Sequence, residues 1–183
     1  GVEIVKKSFD NLKYIHCSAS NGILNFKVDI CNLVRPGIIM YGYEACDSTL
    51  NKIKLYPITK LKSKISFIKT VEKGTSISYG RTFVAEKEMK IATVGIGYAD
   101  GIRRELSNKG EVVINGKKAS IVGTICMDSF MVDITDIDAK IGDDVFIWDN
   151  DIIKLEDVAK KCNTINYEIL STISDRVPRV FTE

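Results

Sequence analysis

The chain has one histidine, one tryptophan and three prolines among its 183 residues. A lone histidine, His16, cannot build a metal site by itself, so no metal is expected. The five cysteines, at positions 17, 31, 46, 126 and 162, are odd in number and form no C-x-x-C pair. That argues against a zinc site and a disulfide framework, and for a reducing, cytoplasmic setting. No apolar run approaches the roughly 18 residues of a membrane-spanning helix. Neither sign of charge is in excess: 26 basic residues face 24 acidic ones, for a net charge of +2. A nucleic acid or an anionic membrane is therefore not an expected partner. The chain opens Gly-Val-Glu-Ile, without an initiator methionine or a signal peptide, and is expected to be a piece of something longer. It has no internal repeat and no low-complexity segment.

What is present is ordinary globular composition, 45% hydrophobic and 27% charged, arranged in two regions. In residues 1–55, short apolar runs end in small or polar residues. Tyr14-Ile-His-Cys17 leads into Ser18-Ala-Ser-Asn-Gly22, and Leu33-Val34 leads into Arg35-Pro-Gly37. Strand ends followed by such loops are the pattern of parallel α/β folds, whose ligands sit at the carboxyl ends of strands. Two such units cannot close a sheet, so this region reads as the end of a larger domain. In residues 56–183 the period becomes two. Leu61, Ser63, Ile65 and Phe67 alternate with Lys60, Lys62, Lys64 and Ser66, which form a wet face. Asn115-Gly116 between apolar runs predicts a hairpin with a type I′ turn. Phe130, Val132 and Ile134 predict another strand, and Val145–Trp148 one more after Gly142-Asp-Asp144. Leu155, Val158, Ala159 and Cys162 fall on one helical stripe, and a short helix is expected from Tyr167 to Ile173. The second region is thus mainly β and mostly antiparallel.

Some stretches invite a chemical reading. Gly95-Ile-Gly-Tyr-Ala-Asp-Gly101 fails as a dinucleotide loop, because an aspartate replaces the third glycine and would repel a pyrophosphate. An Asp-Gly turn between strands accounts for it. Arg35-Pro36-Gly37 suits an anion or cofactor, with a forked permanent cation beside a backbone free to approach a ligand; a surface arginine before a turn reads equally well. Cys126-Met-Asp128 is too short to argue from. Tyr79 lies in Gly74-Thr-Ser-Ile-Ser-Tyr-Gly-Arg-Thr-Phe83, a polar run between strand-like segments. A tyrosine can serve as acid or base if cations lower its pKa from about 10, but Arg81 is the only local cation.

Taken in order, HCSAS, VRPGIIMYG, SISYGRTF, VGIGYADGIRREL, VVINGKKASIVGTICMDSFMVDITD, IGDDVFIWD and TINYEILSTISDRVPRVF resemble the C-terminal half of the pyridoxal-phosphate-dependent alanine racemases. The resemblance runs from about His16 to Phe181. It implies the last strands of a truncated (β/α)8 barrel over residues 1–55 and the family's C-terminal β-domain over 56–183. It implies pyridoxal 5′-phosphate as cofactor, an amino acid as substrate and a homodimer with shared active sites. The activity implied is alanine racemisation, supplying D-alanine for cell-wall peptidoglycan. Tyr79 matches one of two catalytic bases, reaching in from the partner subunit. Arg35 matches the residue facing the cofactor's pyridine nitrogen, with His16 supporting it. Ser20, the Gly37 and Ile38 backbone, and Tyr167 match phosphate contacts. The Met127 N–H matches a donor to the substrate carboxylate, and Tyr98 and Asp128 match lining residues of the access channel.

The family's covalent cofactor lysine belongs to the first half of the barrel, and no lysine here stands in its context. The chain alone is expected to be inactive. Thr124 stands where many relatives have an arginine in the access channel, so the channel should carry less positive charge. A serine-preferring racemase of the same family is an alternative, and some such relatives are fused to membrane segments. Tyr167 favours the smaller alanine, because its ring narrows the space for a hydroxymethyl group. A β module for assembly, without chemistry, is a third reading. Arg35, Tyr79, Met127 and Tyr167 together argue against it, because assembly has no use for cofactor contacts.

Overall fold

A computed structural model describes residues 2–9, 11–45 and 53–182; Cys46 lies outside them. The chain divides into two compact units, Gly1–Thr59 and Lys60–Glu183.

The first unit contains helices α1 (Val2–Ser8) and α2 (Ser20–Asn25) and a 3₁₀ turn, Ile38–Tyr41. The runs before Ser18 and Arg35 lie side by side. Leu33 N–H donates to Ile15 C=O at 3.2 Å and Arg35 N–H to Ser18 C=O at 2.9 Å, and Ala19 and Arg35 form a parallel bridge. Each run is followed at its carboxyl end by a short helical turn, α2 and Ile38–Tyr41, where the sequence predicts a loop. Leu24, Ile38 and Tyr43 are buried. The Tyr43 hydroxyl finds Thr59 Oγ1 at 2.8 Å, which satisfies the polar tip of a buried ring.

The second unit is mostly β. Its strands are β1 (Leu61–Val71), β2 (Ser76–Ile77), β3 (Phe83–Val84), β4 (Met89–Val94), β5 (Glu111–Ile114), β6 (Lys117–Val122), β7 (Phe130–Asp133) and β8 (Asp144–Trp148). Six close into a barrel in the order β1-β4-β7-β6-β5-β8, while β2 and β3 form a separate ribbon. All the barrel pairings are antiparallel. Closure leaves the six barrel strands without an open edge. Val94, Val112, Ile114, Phe130, Val132 and Val145 are fully buried.

Helix α3 (Leu155–Lys161) buries the stripe Leu155, Val158, Ala159 and Cys162, and α4 (Asn166–Ser171) follows. Burial raises the Cys162 thiol to about 11, since a thiolate loses its hydration there.

The expected alternation along β1 holds for Leu61 and Ile65, which are buried, but not for Phe67, which is 53% exposed. The register shifts between Ile65 and Phe67 as a β-bulge. An extra residue at a bulge re-aims the side chains beyond it.

Candidate active site

In the first unit the structure brings Ser20, Arg35, Gly37 and Ile38 together. Gly37 N–H donates to Ser20 Oγ at 2.9 Å, and the bridge from Ala19 to Arg35 places Ser20 next to the second run. Ser20 and Ile38 are buried, while Arg35 and Gly37 are exposed. The Ile38 N–H heads a 3₁₀ turn, where no intrahelical acceptor exists. A Cβ added to Gly37 would meet only Ser20 Oγ, at 3.5 Å, so the space over this backbone is open. A hydroxyl, an unpaired main-chain donor and open space beside a forked cation fit a phosphorylated anionic group. His16 is exposed, and among the described residues no hydrogen bond joins it to Arg35.

In the second unit Tyr79 sits at the tip of the β2–β3 ribbon. Two residue pairs cannot hold a ribbon by themselves. Packing holds it: Ile77 is buried in a cluster with Val71, Ala85, Met89, Ile91 and Val122, and Phe83 packs against the same cluster. The tip is contorted, with φ of 64° at Ser78, 73° at Gly80 and 52° at Arg81. Ser78, with ψ −177°, occupies a region nearly reserved for glycine, which costs about 1–3 kcal/mol and marks functional loops. The Tyr79 ring is 76% exposed.

The Gly97–Gly101 segment is a 3₁₀ turn, Tyr98–Asp100, closed by Gly101 at φ 108°. It lies directly on the Cys126–Met127 backbone. Tyr98 N–H donates to Cys126 C=O and Ala99 N–H to Met127 C=O, both at 3.0 Å. A Cβ at Gly97 would sit 2.3 Å from Met127 O, so only glycine allows the approach. Asp100 is buried, and its Oδ2 accepts from Gly97 N–H at 2.9 Å. Tyr98, Met127 and Asp128 thus share one locale. Met127 and Tyr98 are both exposed.

Sequence reasoning missed the residue that ties this locale together, Arg176. Its guanidinium reaches Asp128 Oδ1 at 2.7 Å and Asp100 Oδ1 at 3.3 Å. Asp128 first, and then Asp100, raises the arginine's already high pKa. The signal was faint: one arginine among 26 basic residues, more than 45 positions from either partner.

Tyr167 lies in the first turn of α4 and is exposed. The adjacent Glu168 is held below the usual carboxylate range, chiefly by a hydrogen bond from Thr164, with Arg103 adding to it. No helix among the described residues is long and apolar enough to cross a membrane.

Comparison with known proteins gives a consistent result. Residues 58–181 match the family model "Alanine racemase, C-terminal domain", and residues 2–45 match "Alanine racemase, N-terminal domain". The alanine racemase of Halothermothrix orenii is 45% identical over 91% of this chain and 45% of its own length. The solved Clostridium difficile alanine racemase in complex with cycloserine is also 45% identical, with a TM-score of 0.83 over 88% of this chain and 44% of that one. The Bartonella henselae alanine racemase with covalently bound pyridoxal phosphate is 34% identical, with a TM-score of 0.85 over 99% of this chain and 51% of that one. The chain therefore spans about half the length of the relatives it matches.

Proposed function

The chain belongs to the alanine racemase family, and from that premise we propose that it is the C-terminal part of an enzyme interconverting L- and D-alanine with pyridoxal 5′-phosphate. In this reading Ser20 Oγ and the Gly37 and Ile38 main chain hold the phosphate. Arg35, permanently charged, faces the ring nitrogen and keeps it unprotonated, which restrains side reactions. The bound cofactor supplies the electron sink that acidifies the substrate's α-hydrogen. The covalent lysine lies outside this chain. The Met127 N–H orients the substrate carboxylate, and Tyr98 and Asp128 restrict access.

Tyr79, as its phenolate, would accept the α-proton of the L-enantiomer in the L-to-D direction and, as the phenol so formed, return a proton to that same face in the D-to-L direction. A second base outside the chain serves the other face, so the substrate need not turn over. The observation that carries this is the setting of Tyr79: a large ring left exposed on a strained, glycine-bearing tip. A proton-transfer phenol must be dry at the moment of reaction, and a second copy of the chain is proposed to cover it, giving a homodimer. The product D-alanine suits peptidoglycan synthesis, and the setting is proposed to be cytoplasmic.

The test is Tyr79→Phe in the full-length racemase containing this chain, followed by α-proton washout in deuterium oxide. Loss of washout from L-alanine, with washout from D-alanine better preserved, supports the assignment. Equal, mild losses for both enantiomers remove Tyr79 from catalysis. Parallel assays with serine separate alanine preference from serine preference.

A further inference from the structure

We propose that Asn108, Thr82 and Thr124 form a one-way hydrogen-bond relay that fixes the main chain at Tyr79, which makes Thr124 a positioning residue for that phenol. The proposal rests on Tyr79 acting as the base described above. Within its own chain the exposed ring has few packing neighbours, so what this chain supplies to set its direction is the backbone beneath it.

The direction of the relay follows from counting hydrogens. A threonine hydroxyl owns one. Thr124 Oγ1 donates its hydrogen to Tyr79 C=O at 3.0 Å. The 3.2 Å contact between Thr82 Oγ1 and Thr124 Oγ1 must then run from Thr82 to Thr124. Thr82 has no hydrogen left, and it accepts from Asn108 Nδ2 at 3.1 Å. Asn108 Oδ1 accepts from Gly123 N–H at 2.6 Å, which settles the orientation of the amide. Each donor is used once, and bonds aligned in one direction strengthen one another.

The other side of the tip is held from the same place. Ser78 Oγ donates to Thr124 C=O at 2.6 Å and lies 3.4 Å from Cys126 Sγ. Gly123, at φ 78°, permits this approach: a Cβ there would meet Ile77 O at 2.7 Å and Ser78 Cβ at 2.8 Å. Thr124 thus grips Ser78 through its carbonyl and Tyr79 through its hydroxyl. The strained dihedrals on both sides of Tyr79 are held by these bonds.

The experiment compares Thr124→Val, Thr124→Ser and Asn108→Asp in the full-length holoenzyme. Valine keeps the shape and loses the donor, serine keeps the donor, and aspartate keeps the acceptor for Gly123 while losing the donor to Thr82. The expected result is a kcat for L-alanine lowered at least about 10-fold in Thr124→Val, with KM altered much less, because a misplaced group costs rate rather than binding. Asn108→Asp should show a smaller loss of the same kind, and Thr124→Ser should restore most of the rate. Amide hydrogen exchange across residues 76–84, read without turnover, should accelerate in Thr124→Val and Asn108→Asp and stay at the parent rate in Thr124→Ser. Unchanged exchange in both donor-lacking variants overturns the relay. Accelerated exchange with kcat intact overturns the positioning role. An active Tyr79→Phe enzyme alongside accelerated exchange retires the base assignment while upholding the grip on the tip.

Discussion

At the scale of single residues, the two tests with the cleanest signs are Tyr79→Phe and Gly97→Ala. Removing the Tyr79 hydroxyl leaves the ring in place, and the ring is largely outside the core. Stability should change by at most about 1 kcal/mol, the net worth of one hydrogen bond. Activity of the full-length racemase should fall by roughly 10²-fold, a usual share for a positioned base. Urea denaturation and turnover, measured on the same preparation, separate the two effects. Gly97→Ala should behave in the opposite way. Its added methyl meets the Cys126 and Met127 carbonyl oxygens at 2.4 and 2.3 Å, and neither is the free end of a flexible side chain. Overpacking of this kind costs about 1–3 kcal/mol, and here it also displaces the Met127 N–H proposed to orient the substrate. A Gly97→Ala protein with parent stability and parent KM would show that the turn does not bear on Met127.

At the scale of elements, legibility followed locality. The Asn115-Gly116 hairpin was readable because its chemistry is contained in two residues, and both adopt positive φ, 49° and 76°. Asn115→Val should cost about 1–2 kcal/mol by forcing a β-branched residue into that region, measurable as a lower urea midpoint. The α3 stripe was readable for the same reason, and Leu155, fully buried, should cost about 2–5 kcal/mol as alanine. Phe67 was misread because a bulge is set by the pairing partner, β4, and not by the alternation in β1 itself. The parts of the candidate site were proposed from motifs through family resemblance, whereas their connections were not foreseen. Arg176 with Asp128, and Asn108 with Thr82 and Thr124, are joined by folding across dozens of residues, and no spacing rule foreshadows such pairs. Tyr79 was legible as unusual, but the strain beneath it appears only in the dihedrals.

At the scale of the whole chain, the barrel seam carries a pH dependence. Asp144 on β8 receives Lys62 at 2.9 Å and Lys64 at 3.0 Å from β1, and these hydrogen bonds hold its carboxyl below the ordinary 3.8. Glu111 on β5 receives Lys161 of α3 at 2.5 Å and is held below the ordinary 4.5, chiefly by that bond. A carboxyl whose folded pKa is depressed contributes stability above its ordinary value and loses that contribution as pH falls through the folded value. Stability should therefore be flat in this respect between pH 7 and 5 and decline below about 4.5. All three pairs are partly exposed, so each is worth only about 0.2–1 kcal/mol, less in high salt. Lys62→Met should lower the neutral-pH urea midpoint slightly and flatten the acid limb. An unaltered acid limb would assign the decline to other carboxylates.

The half-length of the chain makes a sharper demand. The first unit carries the groups proposed to hold the phosphate, at Ser20, Gly37 and Ile38, with a cation at Arg35, and from that proposal reversible association with pyridoxal phosphate is expected. A covalent bond needs a lysine whose amine is unprotonated and aimed at the aldehyde carbon. Five of the described lysines of the second unit, Lys60, Lys62, Lys64, Lys118 and Lys161, are engaged with carboxylates at the surface. Protonated, ion-paired amines are poor nucleophiles. Pyridoxal phosphate added to the 183-residue chain, followed by borohydride reduction and peptide mapping, should give scattered substoichiometric labelling rather than one modified lysine. Inorganic phosphate should compete for the reversible component, and Ser20→Ala should weaken it. A single lysine labelled to one equivalent would mean that the chain carries its own covalent site and would overturn the assignment of that lysine to the half of the relatives' length this chain does not span.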